Sequence, residues 1–493
     1  MNFAPQPTTI PRRLLLTLKL GEMPEHLPGL RAVHGYGTPI GEFIDRGVID
    51  RLLRHHGGAF RAARLHSART RRADSRRSGA HRFDETEQLS GVARVLRIEV
   101  RDGAHMPALL QALAELPIVE RVGADHLCRA PFDADDARAK PHPQATDAWA
   151  REAIRLSQAL RAEPGDPAIV IGLADTGVAM HHAELSGHLR AGFDSVDLDP
   201  DAVGGLSLVG DFRRRGERPD DEVGHGTGCA GILVARGERI APGGAGACGL
   251  TPVRVLGAAL DGGGDRRVGV GALDNIDAGM KRLIDLGVKV INMSFGTPES
   301  ALLADAPRPH EETVRYALAR GVVLVAASGN SGLTEKFYPA AHDGVIAVGA
   351  VDAGLRPAAF STRGDHVALC APGRDIRTCA LDGYQTVSGT SFASPFVAAV
   401  CGLLVARAQR RAWPLSSEVA RQLLVDSARP FAGAAVAGNG GGVLDAQAAL
   451  RALDAYIDAQ MQDEDSDTAF GADAYAPATA TPASPVAPAP VAA

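Results

Sequence analysis

The sequence predicts an α/β architecture around a mostly parallel sheet, preceded by a smaller α+β unit. Three observations carry this expectation. Short apolar, β-branched runs at Ile169–Leu173, Val288–Asn292, Gly321–Ala327 and Val345–Val351 stop at polar or glycine turns, as buried parallel strands do. Segments with apolar residues at helical spacing lie among them; Leu273–Leu286 places Ile276, Met280, Leu283 and Ile284 on one side. The first 127 residues read differently, as strand, helix, strand, strand, helix, strand.

Residues 1–11 are expected to be a flexible lead. The unit over 12–127 has strands at Arg13–Leu20, Ala59–His66, Val92–Val100 and Ile118–His126, with helices at Ile40–His56 and Met106–Leu116. This βαββαβ order is that of a ferredoxin-like fold. Leu14–Leu20 follows two arginines but is broken by Lys19, and no small-residue cleavage site follows, so it reads as a strand rather than a secretion signal. With no signal visible, the cytoplasm is favoured over export. Ser67–Gly79 is rich in Arg and Ser without interleaved aromatics, which favours a solvated loop over a nucleic-acid patch.

Residues 128–147 carry Pro, Asp, Lys and Ala without periodicity and form a linker; the main domain spans 148–461. Within it, adjacent His181 and His182 lack the spacing of three or four that metal ligands on a helix need. Residues 196–222 form a polar surface loop, and Gly257–Gly271 reads as a flexible glycine-rich rim without a phosphate-binding Gly-Lys-Ser/Thr ending. Helices follow at Glu311–Arg320, Ser391–Gln409 and Ser416–Ser427, and a last one reaches about Met461. Residues 462–493, acidic and then Ala/Pro/Thr-rich, cannot bury a core and are expected to be disordered.

Composition narrows the classes. The 493 residues allow two or three domains, and 45% hydrophobic content can fill a large core. A net charge of −6 gives no reason to expect nucleic acid. The sequence shows no run approaching the length of a membrane helix. Six cysteines at 128, 229, 248, 370, 379 and 401 form no CxxC pair, which argues against zinc or a redox motif. Cys370 and Cys379 can bridge in an oxidising compartment; reduced buried thiols are the favoured reading.

Chemistry concentrates in four segments. Ile169–Val178 ends a strand in Asp175, Thr176 and Gly177, and α/β proteins place ligands at such carboxyl ends. Gly224-His225-Gly226-Thr227 opens a helix of small residues. Gly389-Thr390-Ser391 opens another, where unpaired N–H groups and the dipole favour negative charge; Pro395 lies in its first turn or so. The alternative is that Gly-Thr-Ser is merely an N-cap. Gly321–Asn330 is a further strand ending in a polar turn, and Asn330 is alternatively a turn residue tolerating a left-handed conformation.

Taken in the order Asp…His…Ser, these segments resemble the active-site motifs of the subtilisin-like serine peptidases, the subtilases, whose order is a known example of the convergent triad. The resemblance covers roughly 92–461 and implies a three-layer α/β fold. It makes Ser391 the nucleophile, His225 the general base and acid, and Asp175 the orienting carboxylate. Asn330 becomes an oxyanion donor, a role worth roughly 3–4 kcal/mol in subtilisin itself. Gly228 departs from the many relatives that carry a second histidine there; altered packing is expected rather than lost activity. Ser294-Phe295-Gly296 implies backbone pairing with substrate, Ala327-Ser328-Gly329 and Phe337 line the groove, and Tyr338-Pro339 is expected to be cis. Phe337 suggests a shallow pocket that prefers medium-sized residues.

Val92–His126 resembles the propeptide inhibitor of the same family. That implies a zymogen inhibited by its own propeptide and cut between about Cys128 and Asp147, in the exposed linker. The expected enzyme is a monomeric endopeptidase acting on polypeptides, with no metal or cofactor assigned; calcium is common in relatives, but no cluster of oxygen ligands identifies a site. A protease dedicated to one partner protein and a non-catalytic binding module remain alternatives. A nucleotide-binding protein is discounted, because no GxGxxG follows the Asp175 strand.

Overall fold

The computed structural model describes residues 9–69, 83–130, 148–200, 203, 206–213, 218–260, 266–302, 306–433 and 436–473, with side chains as far as 462. The N-terminal unit runs β1 (Thr9–Leu18), α1 (Leu30–Tyr36), α2 (Val48–Gly57), β2 (Phe60–Arg64), α3 (Glu85–Ser90), β3 (Val95–Val100), α4 (Met106–Ala114) and β4 (Val119–Arg129). Its strands pair antiparallel in the order β2-β3-β1-β4, the ferredoxin-like arrangement. Alternation sets the buried face: Leu14, Leu16 and Leu18 of β1 meet Ile49 and Leu53 of α2 and Leu109 and Leu113 of α4. The helix expected from Ile40 begins only at Val48. Gly41 exchanges backbone hydrogen bonds with Ala62, and the Asp45 carboxylate accepts from the N–H groups of Gly47, Ile49 and Asp50, so residues 41–47 bridge and cap rather than coil.

The larger unit continues with α5 (Trp149–Ala153), α6 (Leu156–Ala162), β5 (Val170–Asp175), β6 (Phe193–Asp194), β7 (Ser207–Val209), α7 (His225–Val234), β8 (Gly249–Arg254), β9 (Gly257–Leu260), β10 (Arg267–Ala272) and α8 (Leu273–Asp285). Then come β11 (Val290–Met293), β12 (Thr297–Pro298), α9 (Glu311–Ala319), β13 (Val323–Ala327), β14 (Phe337–Tyr338), β15 (Val345–Val351), β16 (Val367–Pro372), β17 (Ile376–Cys379) and β18 (Tyr384–Val387). The helices α10 (Thr390–Arg410), α11 (Ser417–Asp426) and α12 (Ala446–Asp473) complete it.

Its main sheet has the order β16-β15-β13-β11-β5-β8-β6, and every pairing is parallel. Successive residues of each central strand enter opposite cores. Val290, Val323, Val325, Ile346 and Val348 face α10, whereas Ile291, Leu324, Ala326 and Ala347 face α8 and α9. Burial on both faces explains the uninterrupted apolar runs. Helix α10 is long and apolar enough to cross a membrane, contrary to the expectation that no run approaches that length, yet 89% of its apolar window is buried inside the protein. Its small residues let it pack between strands and neighbouring helices.

Two other expectations change. The described parts of Gly257–Gly271 are not a loose rim, because β9 and β10 pair antiparallel there. Helix α12 passes Met461 into the acidic stretch and ends at Asp473. The remainder of the expected tail, and most of the expected linker and Arg/Ser loop, lie outside the described residues.

The two units share a sheet. Beyond His126, β4 pairs antiparallel with β10, matching Leu127 to Ala272, Cys128 to Gly271 and Arg129 to Val270. Helices α8 and α9 lie against the N-terminal unit through charge pairs: Arg97 to Asp274 at 2.7 Å, Lys281 to Glu87 of α3 at 2.5 Å, Arg121 to Glu312 at 3.1 Å, and Arg121 to Glu311.

Candidate active site

Asp175 is the last residue of β5, which lies between β11 and β8. His225 is the first residue of α7, and its helix starts against that strand end because Gly226 has no side chain. A Cβ there would lie 2.2 Å from the Gly177 carbonyl oxygen and 3.1 Å from the Asp175 side chain. The approach brings His225 Nδ1 to 2.7 Å from Asp175 Oδ1, with both side chains fully buried. Asp175 Oδ1 also accepts from the Thr176 N–H at 2.7 Å. A carboxylate only accepts, so Nδ1 carries the proton and Nε2 is the nitrogen left to exchange one.

Asp221, which the sequence placed in a surface loop, organises the start of α7. Its carboxylate accepts from the N–H groups of Val223, Gly224 and Thr227 and from the hydroxyls of Thr176 and Thr227. Burial nevertheless raises its pKa from the ordinary carboxylate value, because those bonds only partly offset desolvation. Asp221 stands three residues before the Gly224 cap, so no capping pattern in the sequence singled it out. At Gly228 a Cβ would lie 3.1 Å from both Gln385 Nε2 and the Phe392 ring, so these two side chains fill the space beside it.

Ser391 is the second residue of α10, and the cap is Gly389, so neither Thr390 nor Ser391 is the N-cap. Pro395 is the sixth helical residue, deeper than the first turn, and it removes the N–H that would bond the Ser391 carbonyl. Two side chains replace that donor: Ser294 Oγ at 2.8 Å and Cys229 Sγ at 3.3 Å. Ser294 in turn accepts from Asn292 Nδ2 at 2.9 Å and meets Ser394 Oγ at 3.1 Å. Ser391 Oγ donates to the Ser294 carbonyl at 3.4 Å, and the Phe392 ring lies 5.1 Å from the His225 imidazole. The serine turn and the Asp–His pair are thus packed together through α7 and α10.

Asn330 follows β13 on a turn where Gly329 has φ +102°. Its Oδ1 accepts both the Thr390 N–H at 2.9 Å and the Thr390 hydroxyl at 2.8 Å. With the oxygen so held, Nδ2 lies against Gly389, where a Cβ would stand 3.1 Å from it. The residues before Asn330 are held in place: Ala327 closes β13, Ser328 Oγ donates to the Thr362 carbonyl at 3.0 Å, and the Gly329 N–H donates to Thr390 Oγ1 at 3.2 Å.

A groove passes this constellation, with β10 on one side and Ser294-Phe295-Gly296 on the other. The end of β4 lies in it. Arg129 pairs with Gly296 at N···O distances of 3.2 and 3.5 Å, and the Ala130 N–H donates to the Gly269 carbonyl at 3.0 Å. Phe295 is buried beneath, and Phe337, on β14 and paired with Pro298, lies under Gly296 and Gly329. The Tyr338–Pro339 bond is cis, as expected.

The cysteines are all free and buried, so Cys370 and Cys379 do not bridge; burial pushes the Cys379 thiol up to about 12. His182 spends its ring nitrogens on the Gly383 carbonyl and the Glu184 N–H. Asp175, His225 and Cys229 lie close enough to hold an ion, but the first two are joined by their own hydrogen bond and a thiol is a poor calcium ligand.

The Subtilase family model matches residues 166–472, well over half of the chain. The chain belongs to the subtilase family. It is 32% identical over 332 residues to the Thermophilic serine proteinase of Bacillus sp. (strain AK1), covering 67% of this chain and 72% of that protein. It is 34% identical over 246 residues to Thermitase of Thermoactinomyces vulgaris, covering 48% of this chain and 75% of that protein. Among solved structures, the epidermin leader peptide processing serine protease of Staphylococcus aureus superposes with a TM-score of 0.55 at 21% identity, covering 73% of this chain and 90% of that one. This last likeness is one of fold. The subtilase is therefore a subtilisin-type serine endopeptidase, acting on polypeptides.

Proposed function

We propose that this subtilase cleaves peptide bonds through Asp175, His225 and Ser391, and that it is made as a zymogen that processes itself. The observation that carries the reading is the buried 2.7 Å bond between His225 and Asp175, packed against the helix turn that presents Ser391. Ser391 Oγ adds to the scissile carbonyl carbon while His225 Nε2 accepts its proton. The charge that develops on the carbonyl oxygen is met by the Ser391 N–H and Asn330 Nδ2. Collapse of the adduct breaks the C–N bond, and the imidazolium protonates the departing amine. Water then attacks the acyl-enzyme with His225 again as base, regenerating the serine. Asp175 holds the imidazole in the required tautomer and stabilises its cation.

The zymogen reading rests on the end of β4, which fills the groove as an extra antiparallel strand. Main-chain pairing of that kind binds a segment with little demand on its side chains. The N-terminal unit then acts as the enzyme's own inhibitor, and the cut falls in the segment after Ala130.

Fluorophosphonate labelling with intact-mass measurement tests both parts. Wild-type protein is expected to label once and to yield a fragment starting between 131 and 147. Ser391→Ala is expected to stay at 51.3 kDa and unlabelled. Labelling that survives the substitution would overturn the assignment.

A further inference from the structure

One buried polar cluster is not used by the mechanism. Cys128, in the β4 segment that lies in the groove, is fully buried, with its Sγ 3.2 Å from Thr297 Oγ1 and 3.6 Å from His310 Nε2. His310 Nδ1 is 2.7 Å from Asp277 Oδ1, and the imidazole stands edge-on to Phe295 with centroids 5.7 Å apart. Thr297, His310, Asp277 and Phe295 all belong to the larger unit, so they stay when the N-terminal unit leaves.

We propose that His310, held by Asp277 and joined by Thr297, forms a polar subsite that selects small hydrogen-bonding side chains, Ser, Thr or Cys, at the substrate residue preceding the one paired with Gly296. This rests on the protease reading and names a specificity element within it. The geometry gives the reason. The Asp277 carboxylate fixes Nδ1 as a donor, so Nε2 is the atom that faces the incoming side chain. Burial alone would lower the His310 pKa, but Asp277 and Cys128 raise it to about 10, so in the uncut chain Nε2 carries a proton and donates to Cys128 Sγ. A hydroxyl or thiol accepts a hydrogen bond from that N–H, and can equally donate one to a neutral ring. An apolar side chain strips water from Nε2 and Thr297 Oγ1 and returns nothing. The enclosure by Phe295, Thr297 and His310 disfavours long side chains.

The test uses the self-processed enzyme and peptide series that vary one upstream position at a time. The processing site, read by mass spectrometry, fixes which position corresponds to Cys128. There, Thr is expected to exceed its near-isostere Val, and Ser to exceed Ala, by roughly 3- to 10-fold in kcat/KM, carried mostly by KM. In His310→Leu that order is expected to reverse. If no peptide is cut, the protease reading fails. If peptides are cut but Val equals or exceeds Thr at that position, the subsite is overturned while the protease reading stands. Should His310→Leu fail to fold, the wild-type Thr/Val and Ser/Ala ratios decide alone.

Discussion

Thr390 does more than precede the serine. Its N–H and hydroxyl both hold Asn330 Oδ1, which turns the amide so that Nδ2 is the end lying against Gly389. Asn330→Leu is therefore expected to lower kcat by roughly 10²–10³-fold with little change in KM, the known effect of losing this donor in subtilisin. Thr390→Val keeps the N–H bond and loses the hydroxyl, so a smaller fall in kcat is expected from steady-state kinetics on the same peptide. Equal losses would show that Thr390 acts in some other way. At this scale the sequence was informative where a residue type ends an element: Asp175 ends a strand, His225 starts a helix, Asn330 follows a strand. It was silent on the bonds from Thr390 to Asn330 and from Thr176 to Asp221, which span 60 and 45 residues. Such long-range bonds leave no local pattern.

Helix α10 is organised around a missing backbone bond. Pro395 leaves the Ser391 carbonyl to Ser294 and Cys229, so the Ser391 peptide is anchored by side chains from outside its own helix. Ser294→Ala leaves that carbonyl the weak thiol donor, and leaves Asn292 Nδ2 without its acceptor. Thermal unfolding in the Ser391→Ala background is expected to show a loss of about 1–3 kcal/mol. An unchanged melting temperature would mean that water takes over the vacated bonds. The rim strands show why some elements were hard to read. Gly269 and Gly271 made 257–271 look like a loose loop, yet glycine there gives room for close contacts. A Cβ on Gly269 would meet Thr176 at 2.6 Å and Ala130 at 3.3 Å. The central strands were legible for the opposite reason, since burial on both faces demands an uninterrupted apolar run.

Across the molecule, the docking of the N-terminal unit on α8 and α9 is expected to depend on pH. Asp125 on β4 is fully buried, with Asp274 of α8 beside it and Arg13 bridging the two at 3.5 and 3.3 Å. Burial first, and then the Asp274 charge, push Asp125 up to about 8, although Arg13 and Arg97 pull the other way. A carboxyl whose pKa is higher docked than free takes up a proton on docking. Its contribution is therefore full below the ordinary carboxylate value of about 4 and fades as pH rises towards 8. Buried His66, lowered to about 3 by burial and by Lys281, and His126, lowered by burial, act oppositely. Their contributions are complete only above the free imidazole value of about 6.5. Between about 6.5 and 8 the histidines no longer oppose the trend, and His310, raised to about 10, adds to it in the folded chain. Uncut Ser391→Ala protein is thus expected to lose melting temperature from pH 6.5 to 8.5, and the double variant with Asp125→Asn to show a shallower slope. Identical slopes would assign the pH dependence to His310 and leave Asp125 without influence on how the two units separate.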